Sequence, residues 1–193
     1  SELSGGVEFL DWQYKQNPAG KAIGYNAYFR GSMIAHYAVQ PLRARVFGKE
    51  VLGYHSLNTL TDPKHQKKGL FTRLAEITYA DIEKVGGEFV VGTANENSVH
   101  GFTKRLGFQN VGPIEARFVI GSPSRKNFNL NFEKIWGVKD VYWRLNNPRK
   151  IYKYRRKGDR AIIYSRSNQF SALIGNIPYK SLIEGLETLS RFS

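Results

Sequence analysis

A chain of 193 residues, 41% of them hydrophobic and 13% aromatic, suits one full domain, or one domain and part of another. At this size about 70% of the unfolded surface can be buried, so no disulfide or metal staple is needed; the absence of cysteine excludes thiol catalysis, disulfides and zinc sites of the Cys type. The 29 Lys and Arg against 16 Asp and Glu leave a formal charge of +13, which favours anionic partners of any kind without choosing among nucleic acid, acidic lipid and a phosphate-bearing ligand.

Val7 to Gln16 carries Val7, Phe9, Leu10, Trp12 and Tyr14 in a short amphipathic helix, which Asn17-Pro18 and Gly20 stop. Ala22 to Phe29, a turn at Arg30-Gly31 and Met33 to Val46 read as a β-hairpin. A second turn at Gly48-Lys49 leads into a strand over Val51 to Thr61. After the loop Asp62 to Gly69 the period changes from 2 to 3.6. Phe71, Leu74, Ala75, Thr78, Ile82 and Val85 fall on one helical face, and Gly86-Gly87 ends the helix. Glu88 to Thr93 reads as a short buried strand. Ser98 caps a second helix whose inner face is Val99, Phe102 and Leu106, with Gly107 as its left-handed stop and Phe108 packing back over it. Ile114 to Ile120 reads as one more strand. The result is an α/β fold, a mixed sheet with helices on its faces.

Residues 122–140 form the expected linker, rich in Gly, Ser, Pro and Asn over its first part. Beyond it the chain looks like a partial copy of its start. Trp143-Arg144-Leu145-Asn146-Asn147-Pro148 echoes Trp12 to Pro18 with one residue fewer. A hairpin follows, Ile151 to Arg156 and Arg160 to Ser165 about a Gly158-Asp159 turn, and then Phe170 to Ile174 as a further strand. Ser181 to Glu184 reads as a capping box that opens a last helix, with Leu182, Ile183, Leu186 and Leu189 on its inner face. Two independent hairpins with similar approaches are the alternative to a duplication. The expected division is therefore 1–121, a linker over 122–140, and 141–193 as a partial second repeat. No apolar run approaches the roughly 20 residues of a membrane helix, and no signal peptide is visible, so a cytoplasmic location without membrane attachment is expected. Ser1 in place of Met points to an upstream segment.

The most informative stretch is Gln66-Lys67-Lys68-Gly69-Leu70-Phe71-Thr72, between a strand and the first turn of a helix. The first N–H groups of a helix have no partner inside it and carry partial positive charge. A phosphate docked there meets both features. Gly69 lets the backbone come close, and Lys67 and Lys68 add charge. No Gly-Lys-Ser/Thr follows, so the loop is not that of nucleotide hydrolases, and the dinucleotide-binding Gly-x-Gly-x-x-Gly is absent.

Taken with Asp62-Pro63, Asn95-Glu96-Asn97-Ser98 and Gly101 to Phe108, this loop resembles the GNAT superfamily of acyl-CoA-dependent N-acyltransferases. Their hallmark is Gln/Arg-x-x-Gly-x-Gly/Ala at a helix start. The opening Trp12 to Pro18 and the Asn-x-Asn-Ser stretch resemble a bacterial branch associated with cell-surface polysaccharide clusters. The resemblance covers about residues 7–120 well and 140–193 loosely. It implies acetyl-CoA, or another acyl-CoA, as cofactor. The pyrophosphate would lie on Gln66, Lys67, Lys68, Gly69, Leu70, Phe71 and Thr72. The pantetheine arm would pair with main chain at Leu60 and Thr61. Asn97 and the helix from Ser98 would flank the other side, with Phe102 nearby. Lys104 or Arg105 would meet an adenosine phosphate or stand solvated. Three departures matter. Phe71 replaces the hallmark Gly or Ala and must turn into the core. Thr103 stands where the family often has a Tyr general acid, and a Thr hydroxyl is far too weak an acid. The family's first strand and helix have no counterpart ahead of Val7, so an upstream segment is missing or another part of the chain covers that edge.

Acyl transfer from a thioester to an amine needs a deprotonated amine, a polarised carbonyl and their meeting. His55 is the candidate base, because an imidazole titrates near neutral pH. His36 and Glu50 stand close behind it, a hydrogen-bonded structural role for His55 is the alternative, and water-mediated deprotonation needs no base. Asn58 and Asn95 are candidates to orient substrate. His65 and His100 lack metal-ligand spacing, so no metal is expected. No Gly-x-Ser-x-Gly elbow is present. From Arg144 to Arg166 there are nine Lys or Arg and one Asp, interleaved with aromatics. Single-stranded nucleic acid favours that mixture, yet Tyr152 and Tyr154 alternate with Lys153 and Arg155 as in a strand with one packed face. The expected activity is transfer of an acetyl or short acyl group to the primary amine of a small molecule, an amino sugar or its nucleotide. The rival is a binding module without turnover that grips nucleic acid or another anion.

Overall fold

The computed structural model describes residues 4–112, 131–167, 170–178, 180 and 183–184. The strand expected at Ile114 to Ile120 and most of the helix expected from Ser181 lie outside them. The chain divides into two compact units, one of residues 23–39 and 44–133, the other of residues 1–22, 40–43 and 134–193.

The larger sheet runs in the order β1 (Ile23–Phe29), β2 (Ser32–Val46), β3 (Lys49–Thr61), β4 (Phe89–Gly92), and β5 (Phe132–Lys134) also pairs with β2. β1 and β2 are antiparallel, from Ile23 opposite Val39 to Phe29 opposite Ser32. Between β3 and β4 the chain forms α2 (Leu70–Lys84), and the two strands are parallel, as a crossover requires. Their register runs from Gly53–Phe89 to Ser56–Gly92 and ends there. Leu57 to Thr61 thus extends past the end of β4. In that stretch Asn58 takes a left-handed φ of +51°, a conformation found at β-bulges.

The helical stripe read from sequence packs as expected for most of its length. Leu74, Ala75 and Ile82 join Ala35, Tyr37 and Val39 of β2, Tyr54 of β3 and Phe102 in one buried cluster. Each large apolar side chain buried there is worth about 1.5–3 kcal/mol. Thr78 is fully buried in the same stripe, and its hydroxyl donates to the Leu74 carbonyl at 2.7 Å. Val85 departs from the stripe and is 56% exposed. It is the C-cap, with φ −100° and ψ 12°, so the chain has already left the helical path that would turn it inward.

The second unit holds α1 (Ser4–Tyr14), α4 (Val138–Leu145) and an antiparallel sheet of β6 (Tyr152–Lys157), β7 (Arg160–Ser167) and β8 (Phe170–Pro178). Trp12 of α1 and Trp143 of α4 stack with centroids 4.6 Å apart and planes 10° apart. Each indole N–H donates to the other's backbone carbonyl, Trp12 to Trp143 at 2.7 Å and Trp143 to Trp12 at 3.0 Å. The echo extends to the following turns. Asn17 Oδ1 accepts from the amide of Ala19 and Asn147 Oδ1 from that of Arg149, both at 2.9 Å, the Asx turn that Asn favours. Helix, Asx turn and three antiparallel strands therefore occur twice in the chain.

Three boundaries differ from the sequence reading. The linker expected over 122–140 already holds β5 and the start of α4, because a three-residue strand is too short to show alternation. The expected domain 1–121 is divided, since α1 belongs to the unit that contains α4. The second hairpin turn falls on Phe47 and Gly48, both at positive φ, one residue earlier than expected.

Candidate active site

The stretch around Gly69 is built by local rules. Asp62 Oδ1 accepts from the amide of Lys64 at 2.8 Å and caps a short 3-10 turn, Pro63–His65. Gln66 leaves that turn in extended conformation. Lys67 then takes φ +61° and Gly69 φ +74°, two left-handed residues that bring the main chain round to the start of α2. Gly69 is the N-cap, no side chain caps the helix, and its first turn has no acidic residue. The amides of Leu70, Phe71 and Thr72 are therefore the unsatisfied donors of the first turn; the Arg73 amide bonds the Gly69 carbonyl at 3.0 Å. The positive end of the α2 dipole reinforces them.

Gly69, Leu70 and Phe71 of this helix start line a cavity of about 630 Å³. One wall is the end of β3, Thr59, Leu60 and Thr61; another is Gln66, Lys67, Gly69, Leu70 and Phe71. The opposite wall comes from the segment after β4, with Asn95, Asn97, Ser98, His100, Gly101 and Arg105. Among the described residues no carboxylate lines it, whereas Lys67 and Arg105 do. Among the expected cofactor residues, Leu60, Thr61, Gln66, Lys67, Gly69, Leu70, Phe71 and Asn97 share this one cavity. Lys68 is exposed outside the lining. Thr72 faces inward, its hydroxyl buried without a hydrogen-bond partner. Phe102 is 7% exposed and lies behind the wall rather than in it.

Phe71 turns into the core as its place on the stripe requires. Its ring meets Tyr37 at 5.8 Å and Phe102 at 5.1 Å, both edge-on. The space for it comes from Gly101. A Cβ there would stand 2.9 Å from the Phe71 ring, so the large residue at one position goes with the smallest at the other.

The segment after β4 corrects the expected cap. Asn95, not Ser98, is the N-cap of α3 (Glu96–His100). Asn95 Oδ1 accepts from the Ser98 amide, and Ser98 Oγ accepts from the Asn95 amide, both at 3.1 Å. Ser98 is thus the reciprocal partner three residues on. Asn95 lines the cavity, but its carbonyl oxygen is engaged in the cap. The chain continues as a π-helical turn over Gly101–Arg105, a local widening often found at functional sites. In it the Thr103 hydroxyl donates to the Val99 carbonyl at 2.8 Å.

His55 sits half-buried on β3 opposite Val91, outside the cavity lining. Asn58 is exposed at the left-handed position of β3, also outside it. His36 is on β2, its Nδ1 2.6 Å from Asn26 Oδ1, and burial lowers its pKa below the usual imidazole value. Two imidazoles that sequence reasoning considered only as metal ligands do line the cavity, His65 and His100. His65 has Nδ1 3.6 Å from Asp62 Oδ2 and packs its ring 5.4 Å from Phe29. The signal for both was position, one inside the Asp62–Gly69 loop and one at the end of α3. Among the described residues no helix is long and apolar enough to cross a membrane.

A family model described as an acetyltransferase (GNAT) domain matches residues 6–111. Among solved structures the chain is similar to a putative acetyltransferase from Agrobacterium tumefaciens str. C58, at 15% identity over 61% of this chain and 81% of that one, TM-score 0.48. It is similar to an acetyltransferase of Trypanosoma brucei, at 18% identity over 61% and 92%, TM-score 0.43. A glucosamine-6-phosphate N-acetyltransferase from Arabidopsis thaliana matches at 15% identity over 46% of this chain, TM-score 0.39, and the chain spans only 58% of that protein's length. No curated protein matches the chain.

Proposed function

Because the chain belongs to the GNAT acetyltransferase family, we propose that it is an N-acyltransferase that takes an acetyl or short acyl group from acyl-CoA to the primary amine of a small molecule. The observation that carries this reading is the uncapped, acid-free first turn of α2, which lines one cavity together with Lys67 and Arg105. The site suits a diphosphate: the left-handed turns at Lys67 and Gly69 lead into an uncapped helix start, whose first N–H groups and dipole favour an anion. Gln66 to Thr72 would hold that group, with Lys67 and Lys68 adding charge. The end of β3, Leu60 and Thr61, would pair with the amide-bearing arm, since β4 stops at Gly92 and no other described strand continues along that side. Asn97 would close the opposite wall.

When bound, acyl-CoA supplies an acyl carbonyl activated as a thioester; amide formation releases the free thiol. The protein's part is positioning and proton handling. Proximity of the two reactants is the larger contribution. His55 is assigned as base, on the stretch of β3 where β4 ends. His65 and His100 are the imidazoles in the wall itself, so all three are to be tested side by side. Thr103 contributes no acid, because its hydroxyl is committed to the Val99 carbonyl, and the departing sulfur takes its proton from solvent. An amino sugar, free or nucleotide-linked, is the acceptor we favour: the amides of Asn95 and Asn97 suit hydroxyl partners, and the positive field suits a phosphate. We further read residues 141–193 as a partial second copy without a cofactor loop, since Asn176-Ile177-Pro178-Tyr179-Lys180 has no Gln-x-x-Gly. The doubled helix, Asx turn and meander support this.

The test is thiol release from acetyl-CoA with a panel of amino sugars and simple amines. Amine-dependent release, lost in Gly69→Glu while the variant still unfolds cooperatively at a midpoint lowered only by the strain of a side chain at φ +74°, is the expected result. Cofactor binding without turnover on any amine would favour the binding-module reading.

A further inference from the structure

The sheet of β6, β7 and β8 turns one strongly basic face outward. β6 carries four Lys or Arg and β7 two, and none of the three strands has an Asp or Glu. The register sorts these residues by face. Lys153 stands opposite Tyr164 and Arg155 opposite Ile162, and side chains two residues apart on a strand point the same way. Lys153, Arg155, Arg160, Ile162 and Tyr164 therefore share one face, with about 5 Å between cross-strand neighbours and about 7 Å between successive members on a strand. The other face packs: Ala161, Ile163 and Ser165 are buried. On the outward face Lys153 and Arg155 are exposed, while Arg160, Ile162 and Tyr164 are half-buried. No ion pair among the described residues holds Lys153 or Arg155. The residues of β8 in register with Arg160, Ile162 and Tyr164 are Pro178, Asn176 and Leu173, so the third strand brings no acid to them.

A charged residue on an edge strand keeps it from pairing with another chain. That role accounts for Lys153 or Arg155, since β6 is an edge of this sheet among the described residues. It does not account for Arg160 on the inner strand, nor for three strands without a carboxylate. Like charges set this close repel one another, and a polyanion laid across them relieves the repulsion. We propose that this face binds single-stranded nucleic acid, with phosphates on Lys153, Arg155 and Arg160 and a base stacked on Tyr164. Charge alone would suit any polyanion, and the ring decides among them. Tyr164 stands directly across from Lys153, so a base on the ring leaves its phosphate beside an ammonium, the combination that single strands use. A duplex keeps its bases paired and offers the ring nothing. A lipid surface is held by inserted apolar side chains as well as by charge, and Ile151, 84% exposed just before β6, is one isolated aliphatic group. The site uses no residue of the α2 loop and is independent of the acyl-transfer reading.

The full chain is titrated into fluorescein-labelled oligothymidylate and oligouridylate of about 12 nucleotides, and anisotropy is followed over a series of salt concentrations. Saturable binding is expected, at least about fivefold tighter than to a duplex of the same length. The double variant Lys153→Gln with Arg155→Gln should bind at least about tenfold more weakly, and its plot of log affinity against log salt should be flatter by about 1.4, since each phosphate contact of a single strand contributes about 0.7. Tyr164→Leu should weaken binding at least about fivefold and leave that slope unchanged. Lys21→Gln with Lys49→Gln removes the same charge elsewhere and should alter affinity by less than about twofold. Binding of one probe alone would name the ligand as RNA or DNA and support the site. An equal loss in the Lys21 and Lys49 pair would put the attraction in the charge of the whole chain and overturn the site. So would duplex bound as tightly as single strand, no saturable binding of either probe, or capture by phosphatidylserine vesicles without any by the oligonucleotides. If Tyr164→Leu fails to fold, the Lys153 and Arg155 pair and the duplex comparison decide.

Discussion

At the scale of single residues, Phe71 and Gly101 form one packing decision made at two places 30 positions apart. A methyl group at residue 101 would press on the Phe71 ring at 2.9 Å. Gly101→Ala should destabilise by about 1–3 kcal/mol, as overpacking does. Adding Phe71→Ala should remove that penalty while introducing a cavity cost of its own. Denaturant midpoints of the two single variants and the double variant check this, and strict additivity would refute the pairing. His36 carries the second residue-level expectation. Burial lowers its folded pKa below the unfolded value of 6.5, so the unfolded chain binds the extra proton first. Its contribution to stability is complete above the unfolded pKa and is lost as pH falls through 6.5 toward the folded value. His36→Gln should flatten that part of the stability–pH curve, measured by urea unfolding from pH 7.5 to about 5. An unchanged slope would show that His36 is not the titrating group. The Phe71 packing was legible from its place on the helical stripe, but its partner was not, because Gly101 leaves no periodic signal.

At the scale of elements, the reciprocal Trp12–Trp143 pair joins two helices by stacking and by two buried hydrogen bonds. Trp143→Ala removes a ring and leaves the Trp12 indole N–H without its acceptor geometry assured. A loss of about 3–5 kcal/mol is expected, the range for deleting a large buried aromatic. Trp12→Ala should cost a similar amount, and the double variant much less than the sum. Calorimetry or denaturant unfolding would show it; independent effects would mean the pair is not a unit. The repeat of Trp and Asn-Pro was visible in the sequence, and the Asx turns could be foreseen from Asn chemistry. The stacking itself was not, since nothing local states that two helices 131 residues apart will meet. The cap of α3 went wrong for a different reason. Asn95 and Ser98 both suit a cap, and each takes part, but the familiar Ser-x-x-Glu pattern does not announce an Asn-x-x-Ser box.

At the scale of the whole molecule, the formal charge of +13 acts on any anionic ligand through long-range attraction. Affinity for acetyl-CoA should fall several-fold between about 0.05 M and 0.5 M NaCl, as screening shortens the field. A binding constant indifferent to salt would locate the recognition in uncharged contacts. The segments that line the cavity could be read from the sequence because each is local: a turn, a left-handed Gly, a helix start, and the end of a strand. The division into units could not be read so well. Strand β2 is long enough that residues 40–43 fall to one unit and its flanks to the other, and β5 is too short to signal itself. The imidazoles of the cavity wall were passed over because only metal spacing was asked of them.

The central claim is that the main-chain amides at the start of α2 take the diphosphate of acyl-CoA. Amide resonances followed during titration with acetyl-CoA test it most directly. The account predicts large, saturable shifts at Gly69, Leu70, Phe71 and Thr72, reproduced by CoA lacking the acyl group and abolished by Gly69→Glu. Saturable binding that leaves those four amides unmoved would contradict it.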